Sequence, residues 1–345
     1  MQPTVAVIGA GYWGPNLIRN FRNSPEWHLL AVCDLDLDRA AKAVGQQSTI
    51  ELSDSVEAVL ARADLDAIAI ATPAHTHAPL ALQAFAAGKH VLVEKPLAAT
   101  VADGARMVAA ARAAGKVLMA DHTFCYTPSV SYIRRLIAEG ELGDILYVDS
   151  TRINLGIVQP DVNVFWDLAP HDLSILDFIL PGGLDVSGIR ATGADPLNAG
   201  KECIGFAAMQ LAGGGIAHIN VNWLSPTKIR RFVVGGSAKT LVWDDVNPAQ
   251  RISVFDRGVD VGFGPADLDE RRNQRISYRA GGIVVPALPE TEALGSMVAE
   301  FAAAIAQHRA PLTDGTAGLR VLAALDAIDQ SLASGHPVTP HLEVT

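Results

Sequence analysis

The sequence predicts an α/β protein in two parts: a doubly wound parallel sheet, then an α+β region built on a large, mostly antiparallel open sheet. Three observations carry this expectation. Val5-Ala6-Val7-Ile8 is an unbroken apolar run, as in a strand buried on both faces, and it leads into glycines at 9, 11 and 14. Short apolar runs then alternate with helical stretches up to about residue 122. Beyond it the runs take on the period-two character of half-buried strands. A length of 345 residues allows each part its own core, with boundaries expected at 1–122 and 123–345.

Gly9, Gly11 and Gly14 stand in G-x-G-x-x-G spacing. Gly9 permits a tight turn, Gly11 lets the backbone approach a pyrophosphate, and Gly14 lets the next helix pack close to the strand. Tyr12 and Trp13 lie inside this turn and are candidate cofactor contacts; for Trp13 a core position is the open alternative. Pro15 suits a first helical turn, whose free N–H groups would face phosphates. A second apolar run, Leu29 to Cys33, ends in Asp34, 20 residues past Gly14 (34 − 14). That is the place of the acid that binds a ribose 2′-hydroxyl, and its charge repels a 2′-phosphate, so NAD is favoured over NADP. A plain helix cap is the alternative, a part that Asp36 and Asp38 could also fill. Together these features describe a Rossmann-type dinucleotide-binding unit.

Helices are then expected over 39–44 and over 53–60, the latter capped by Ser53 or Asp54. Ala67 to Ala71 reads as a buried strand that runs into Thr72-Pro73-Ala74-His75-Thr76-His77, followed by a helix closed at Gly88. His90 to Val93 is the next strand and ends in Glu94-Lys95-Pro96. A helix over 101–114 and a strand over 117–120 follow. The ends Gly9–Gly14, Ala71–His77 and Glu94–Pro96 therefore point at one crevice.

In the second part, Tyr126 to Ala138 and Asp167 to Leu180 read as helices. Strands are expected over 145–154, 186–193, 203–211, 216–223, 229–234 and 240–243, with hairpin turns at Gly213–Gly215 and Gly235–Ser237. Asp256 to Ala287, with Arg271, Arg272 and Arg275, reads as a long excursion, either an arm or a solvated loop. Two closing helices between 292 and 333 are placed to pack back on the first part.

Net charge is −10 and no basic block occurs, which argues against a nucleic-acid partner. Cys33, Cys125 and Cys203 are widely spaced and read as buried free thiols in a reducing, cytoplasmic setting. No leader is expected ahead of the first strand, and no apolar run suits a membrane span. His75 and His77 lack acidic companions, so no metal is expected.

Four features now stand in order: Gly9–Gly14 with Asp34, Ala71-Thr72-Pro73 with His77, Glu94-Lys95-Pro96, and Asp167-Leu-Ala-Pro-His171-Asp172. Across essentially the whole chain this arrangement resembles the Gfo/Idh/MocA family of sugar oxidoreductases. Gly11 to Asn16 and Asn163 to Asp172 look most like its branch acting on nucleotide-linked sugars. The resemblance implies NAD in the first part and a sugar held between it and the second sheet. It implies that Ala71, Thr72 and Pro73 line the cofactor, that His77 opens the helix beside it, that Glu94 approaches the nicotinamide ribose, and that the bond before Pro96 is cis.

Oxidising a secondary alcohol needs a base for the hydroxyl proton and a donor that holds the oxygen. Lys95, at a strand end facing the crevice, is the expected donor. Asp167 and His171 are four residues apart and share a helix face, so the carboxylate would orient the imidazole as base. The bland alternative makes Asp167 a cap, as Pro170 favours, and His171 a satisfied helix residue. Trp166 is a candidate for stacking on the sugar, or else a core aromatic. Arg152 and Asn154 are expected to bind substrate, with Lys228, Arg230, Arg231 and the excursion's Arg271, Arg272 and Arg275 supplying further charge for a pyrophosphate; the bland alternative pairs these arginines with acidic residues at a subunit contact. The rival expectations are a dehydrogenase of free inositol or hexose and a cofactor-binding regulator without turnover. The open sheet face calls for a homodimer or homotetramer.

Overall fold

A computed structural model describes residues 2–45, 49–159, 161–262 and 275–342. The first sheet has six strands: β1 (Thr4–Ile8), β2 (His28–Cys33), β3 (Glu51–Ser53), β4 (Ala67–Ile70), β5 (His90–Glu94) and β6 (Leu118–Asp121). All pair parallel in the order β3-β2-β1-β4-β5-β6, the doubly wound arrangement whose strand order reverses between β1 and β4. Helices α1 (Gly14–Asn23), α2 (Leu37–Val44), α3 (Val56–Leu60), α4 (His77–Ala86) and α5 (Val101–Ala113) cross between the strands. Every residue of β4 is buried, as expected of a strand covered on both faces.

After α6 (Pro128–Ala138) the second sheet begins with β7 (Ile145–Leu155), and α7 (Val164–Ile179) follows. The remaining strands are β8 (Val186–Ala194), β9 (Ile204–Leu211), β10 (Ile216–Asn222), β11 (Leu224–Gly236), β12 (Thr240–Asp244), β13 (Ile252–Gly262) and β14 (Arg275–Val284). Their order is β14-β13-β12-β11-β7-β10-β9-β8, and every pair except β7–β10 is antiparallel. The inner residues of β9 alternate strictly with exposed ones, and Phe165 of α7 seats against Gly205, where a Cβ would come within 2.2 Å of the ring. Tyr147, Phe206 and Ile216 stay exposed on the outer face.

Helices α8 (Ala293–Ala306) and α9 (Gly315–Ser334) return to the first sheet. Trp27 stacks on Phe301 at 5.2 Å and its indole donates to the Val298 carbonyl at 2.7 Å. Gly104 of α5 leaves the gap into which Leu319 and Leu322 of α9 fit.

Three expectations need correcting. The helix expected from residue 53 starts at Val56 and is capped by Ser55, because Ser53 is used as the last residue of β3. The helix expected from Asp167 starts at Val164. Its cap is Asn163, whose Oδ1 accepts from the N–H groups of Phe165 and Trp166, so Pro170 lies inside the helix. The excursion is in large part a hairpin, with Asp256 to Gly262 in β13 and Arg275 to Val284 in β14; Arg271 and Arg272 lie outside the described residues. All three cysteines are buried and free.

Candidate active site

The glycine-rich turn between β1 and α1 has the shape its spacing implies. Gly9 sits at φ +100°, and a Cβ there would strike the Ala71 carbonyl at 2.7 Å. A Cβ on Gly14 would lie 2.2 Å from the Gly9 carbonyl, so the helix can approach the turn only without one. Gly11 has open space before it, which suits close approach of a pyrophosphate. The Asp34 carboxylate, at the end of β2, accepts from Ala10 N–H at 2.7 Å and Asp36 N–H at 2.9 Å, and Arg39 lies 3.5 Å away. This turn can hold a dinucleotide. Tyr12 stands almost fully exposed. Trp13 packs against the core, and its indole donates to Asp121 at 3.2 Å, so of its two readings the geometry supports the core one.

Ala71 continues the ladder beyond β4 through an N–H bond to Ile8 at 2.8 Å. The hydroxyls of Thr72 and Thr76 meet at 2.6 Å over the turn that starts at Pro73. His77 opens α4 but is buried. Its ring lies between the Thr72 carbonyl at 2.8 Å and the Pro96 carbonyl at 3.0 Å and ties the ends of β4 and β5 together. Burial lowers its pKa against the pull of these carbonyls. The Lys95–Pro96 bond is cis.

Lys95 reaches α7. Its Nζ donates to the Asp167 main-chain carbonyl at 3.1 Å and lies 3.6 Å from Asp167 Oδ1. Asp167 Oδ2 accepts from the Trp223 indole at 2.9 Å. His171 follows one helical turn later. Here the geometry departs from expectation: Asp167 spends its carboxylate on Lys95 and Trp223, not on His171. The Nδ1 of His171 is buried with no hydrogen-bond partner among the described residues, and Phe124 packs edge-on against the ring at 5.0 Å. Burial drives the His171 pKa well below the usual range, and Arg152, Lys95, Arg230 and His122 push the same way.

The substrate candidates divide. Arg152 forms a buried bidentate pair with Asp172, both bonds 3.0 Å, and lies over Phe124 at 4.5 Å; its fork is taken, so it is not free for a phosphate. Asn154 lies two residues further along β7, on the same face and half-buried. Trp166 donates its indole N–H to Asp329 of α9 at 2.6 Å and packs against the core. Arg230 is the register partner of Arg152, so it faces the same side, and it is partly exposed with a 3.4 Å contact to Asp245. Arg231, opposite Thr151, faces the other side.

Residues 4–122 match a family model described as an oxidoreductase family with an NAD-binding Rossmann fold, and residues 130–242 match the GFO/IDH/MocA C-terminal domain. The chain belongs to the Gfo/Idh/MocA oxidoreductases. It is thus an enzyme of an NAD-using family, and its resemblance to that family, noted from four motifs, holds. A UDP-N-acetylglucosamine 3-dehydrogenase of Acidithiobacillus ferrooxidans is 29% identical over 92% of this chain and 93% of its own. A solved structure of that enzyme aligns with a TM-score of 0.78 at 25% identity, covering 95% of this chain and 97% of the other. Inositol 2-dehydrogenase 1 of Saccharopolyspora erythraea is 33% identical over 52% of this chain and 55% of its own.

In this Gfo/Idh/MocA chain the sequence reading overlooked the end of β6. Asp121 pairs in register with Glu94, and His122 beside it is buried with neither ring nitrogen partnered among the described residues. Both stand at the carboxyl end of a parallel strand, the rule that singled out the other three strand ends. Trp223 and Phe124 carried no such signal. Among the described residues no cluster of His, Cys, Asp and Glu could hold a metal, and no helix is long and apolar enough to cross a membrane.

Proposed function

We propose that the protein is an NAD-dependent sugar dehydrogenase or ketoreductase, with 1–122 as the cofactor part and 123–345 as the substrate and oligomerisation part. One observation carries the reading: Lys95, just past the carboxyl end of β5, is held at Asp167, one helical turn from His171. When bound, NAD supplies the carbon that accepts or returns the hydride. Lys95 donates to the substrate oxygen and fixes it. His171, kept neutral by burial and neighbouring cations, takes the hydroxyl proton during oxidation. In the reverse direction its imidazolium, made acidic by the same cations, returns the proton. Asp167 holds Lys95 in place, and Trp223 holds the Asp167 carboxylate.

The substrate we assign is a nucleotide-linked sugar, reacting at C3 of a UDP-N-acetylhexosamine. The relative covering nearly all of this chain supports it, and Arg230, with Lys228 near it, supplies the accessible charge. The buried Arg152–Asp172 pair removes one phosphate ligand and favours the rival reading, a dehydrogenase of free inositol or hexose. The exposed Tyr147, Phe206 and Ile216 on the outer sheet face support a homodimer or homotetramer. The test is NADH absorbance with NAD and, separately, UDP-N-acetylhexosamines, free inositols and free hexoses. Turnover on the nucleotide sugars that falls on Arg230→Ala is expected. Turnover on free polyols alone would overturn the substrate assignment.

A further inference from the structure

Glu94 and Asp121 end neighbouring parallel strands and are register partners, so their side chains leave the sheet on one side with backbones about 4.8 Å apart. Asp121 is 2% exposed. Its Oδ2 accepts from the Trp13 indole at 3.2 Å and its Oδ1 from the Thr123 hydroxyl. Both oxygens of Asp121 are thus satisfied as acceptors, the state of an ionised carboxylate. Glu94 is half-buried beside it, carboxyl against carboxyl. Two carboxylates in contact in such a site cannot both be ionised without a large cost. The groups facing the pair are Lys95, just past β5, Thr123, just past β6, and Trp13 from the glycine turn, and Lys95 already has Asp167 as its partner.

We propose that Glu94 and Asp121 hold one proton between them at neutral pH, carried on Glu94, and that Asp121 is the positioning residue that makes Glu94 a neutral hydrogen-bond donor beside Lys95. Burial raises the pKa of Glu94 well above the carboxylate range, the charge of Asp121 adds to it, and Lys95 opposes without cancelling; burial raises Asp121 as well. The pair titrates as a unit. Trp13 also ties the pair to the glycine-rich turn, so the proton sits where the two cofactor-facing segments meet.

A consequence follows that rests on the cofactor placement proposed above. The oxidised nicotinamide is positively charged and the reduced one is neutral. Loss of the shared proton therefore strengthens NAD⁺ binding relative to NADH as pH rises through the titration of the pair.

The primary test uses neither cofactor nor substrate. Infrared spectra of the cofactor-free protein in D₂O are recorded from neutral to alkaline pH. The C=O band of a protonated carboxyl is expected at neutral pH in the wild type and is lost on alkaline titration. The near-isosteric variant Glu94→Gln removes it at neutral pH, and Asp121→Asn shifts its loss to lower pH, because burial still raises Glu94 once the neighbouring charge is gone. Absence of the band in the wild type, its survival in Glu94→Gln, or a titration unmoved by Asp121→Asn overturns the proposal. The cofactor consequence is read separately, by NADH fluorescence titration and its competition by NAD⁺ across the same pH range. A preference for NAD⁺ that grows with pH in the wild type and is flat in Glu94→Gln supports it. A titrating band with a flat wild-type preference overturns the claim that the pair faces the nicotinamide, and leaves the sugar reading to its own test.

Discussion

Lys95 Nζ stands 3.1 Å from the main-chain oxygen of Asp167 and 3.6 Å from its carboxylate, although the two residues are 72 positions apart in the chain. The contact joins the end of β5 to α7 and gives Asp167 a partner other than the histidine on its own helix. Asp167→Asn should therefore act through Lys95. A hydrogen bond to a charged group contributes about 1.5–3 kcal/mol, so kcat should fall roughly ten- to hundredfold. Steady-state NADH absorbance measures this, with NADH fluorescence titration as the control for binding. An unchanged kcat would remove Asp167 from the site.

Arg152 and Asp172 are expected to matter for stability before substrate. Both are buried and paired through two bonds. Arg152→Ala leaves a buried charge unpaired and should cost about 3–5 kcal/mol. Urea denaturation followed by circular dichroism reads the cost. The double variant Arg152→Met, Asp172→Leu, which removes both charges, should recover most of it. A stable Arg152→Ala protein with weakened substrate binding would restore Arg152 as a substrate ligand.

Stability should fall in mild acid. His77, His90, His122 and His171 all have pKa values lowered chiefly by burial, to about 4 for His90 and His122. In the unfolded chain each returns to about 6.5. Below that value the unfolded state binds more protons, so this contribution is complete above about 6.5 and is lost as pH falls toward 4. Thermal unfolding midpoints should decline over this window, and His122→Leu should flatten the decline, since it also removes two unpartnered ring nitrogens. A midpoint that rises on acidification, or a slope unchanged by His122→Leu, would contradict this.

Cofactor choice should turn on Asp34 with Arg39. The carboxylate caps the glycine turn at Ala10, and Arg39 stands 3.5 Å away, half-exposed. Asp34→Ser removes the charge that repels a 2′-phosphate and leaves Arg39, still 3.3 Å from Asp36, with one carboxylate fewer to compete with that phosphate. Fluorescence titration should show NADPH gaining on NADH by about tenfold or more, on the scale of one charged hydrogen bond. Adding Arg39→Ala should cancel the gain. Tighter NADPH than NADH binding by the wild type would contradict the role of Asp34.

Much of this was legible in the sequence because it depended on local pattern. The apolar runs at Val5–Ile8 and Ala67–Ile70, the glycine spacing, and the hairpin glycines at 213–215 and 235–236 are set by backbone requirements a few residues long. What escaped was set by distant partners. The spacing of Asp167 and His171 puts them on one face, but Trp223 and Lys95 claim the carboxylate from 56 and 72 residues away. Arg152 read as a free cation because Asp172 lies on another element. Asn163 outcompeted Asp167 as a cap because its side chain also reaches Asp329, which a local reading does not see. The hairpin of β13 and β14 was hidden by polar and glycine-rich composition.

The central claim is that Lys95 and His171 do the chemistry together. It is tested most directly by initial rates of NADH formation, with saturating NAD and nucleotide sugar, for the wild type, Lys95→Met and His171→Asn. NADH affinity of each protein is measured alongside by fluorescence. Near-normal NADH binding is expected in all three, with a loss of kcat of about 10²–10⁴-fold in each variant. A His171→Asn or Lys95→Met protein that turns over within a few-fold of the wild type would contradict it.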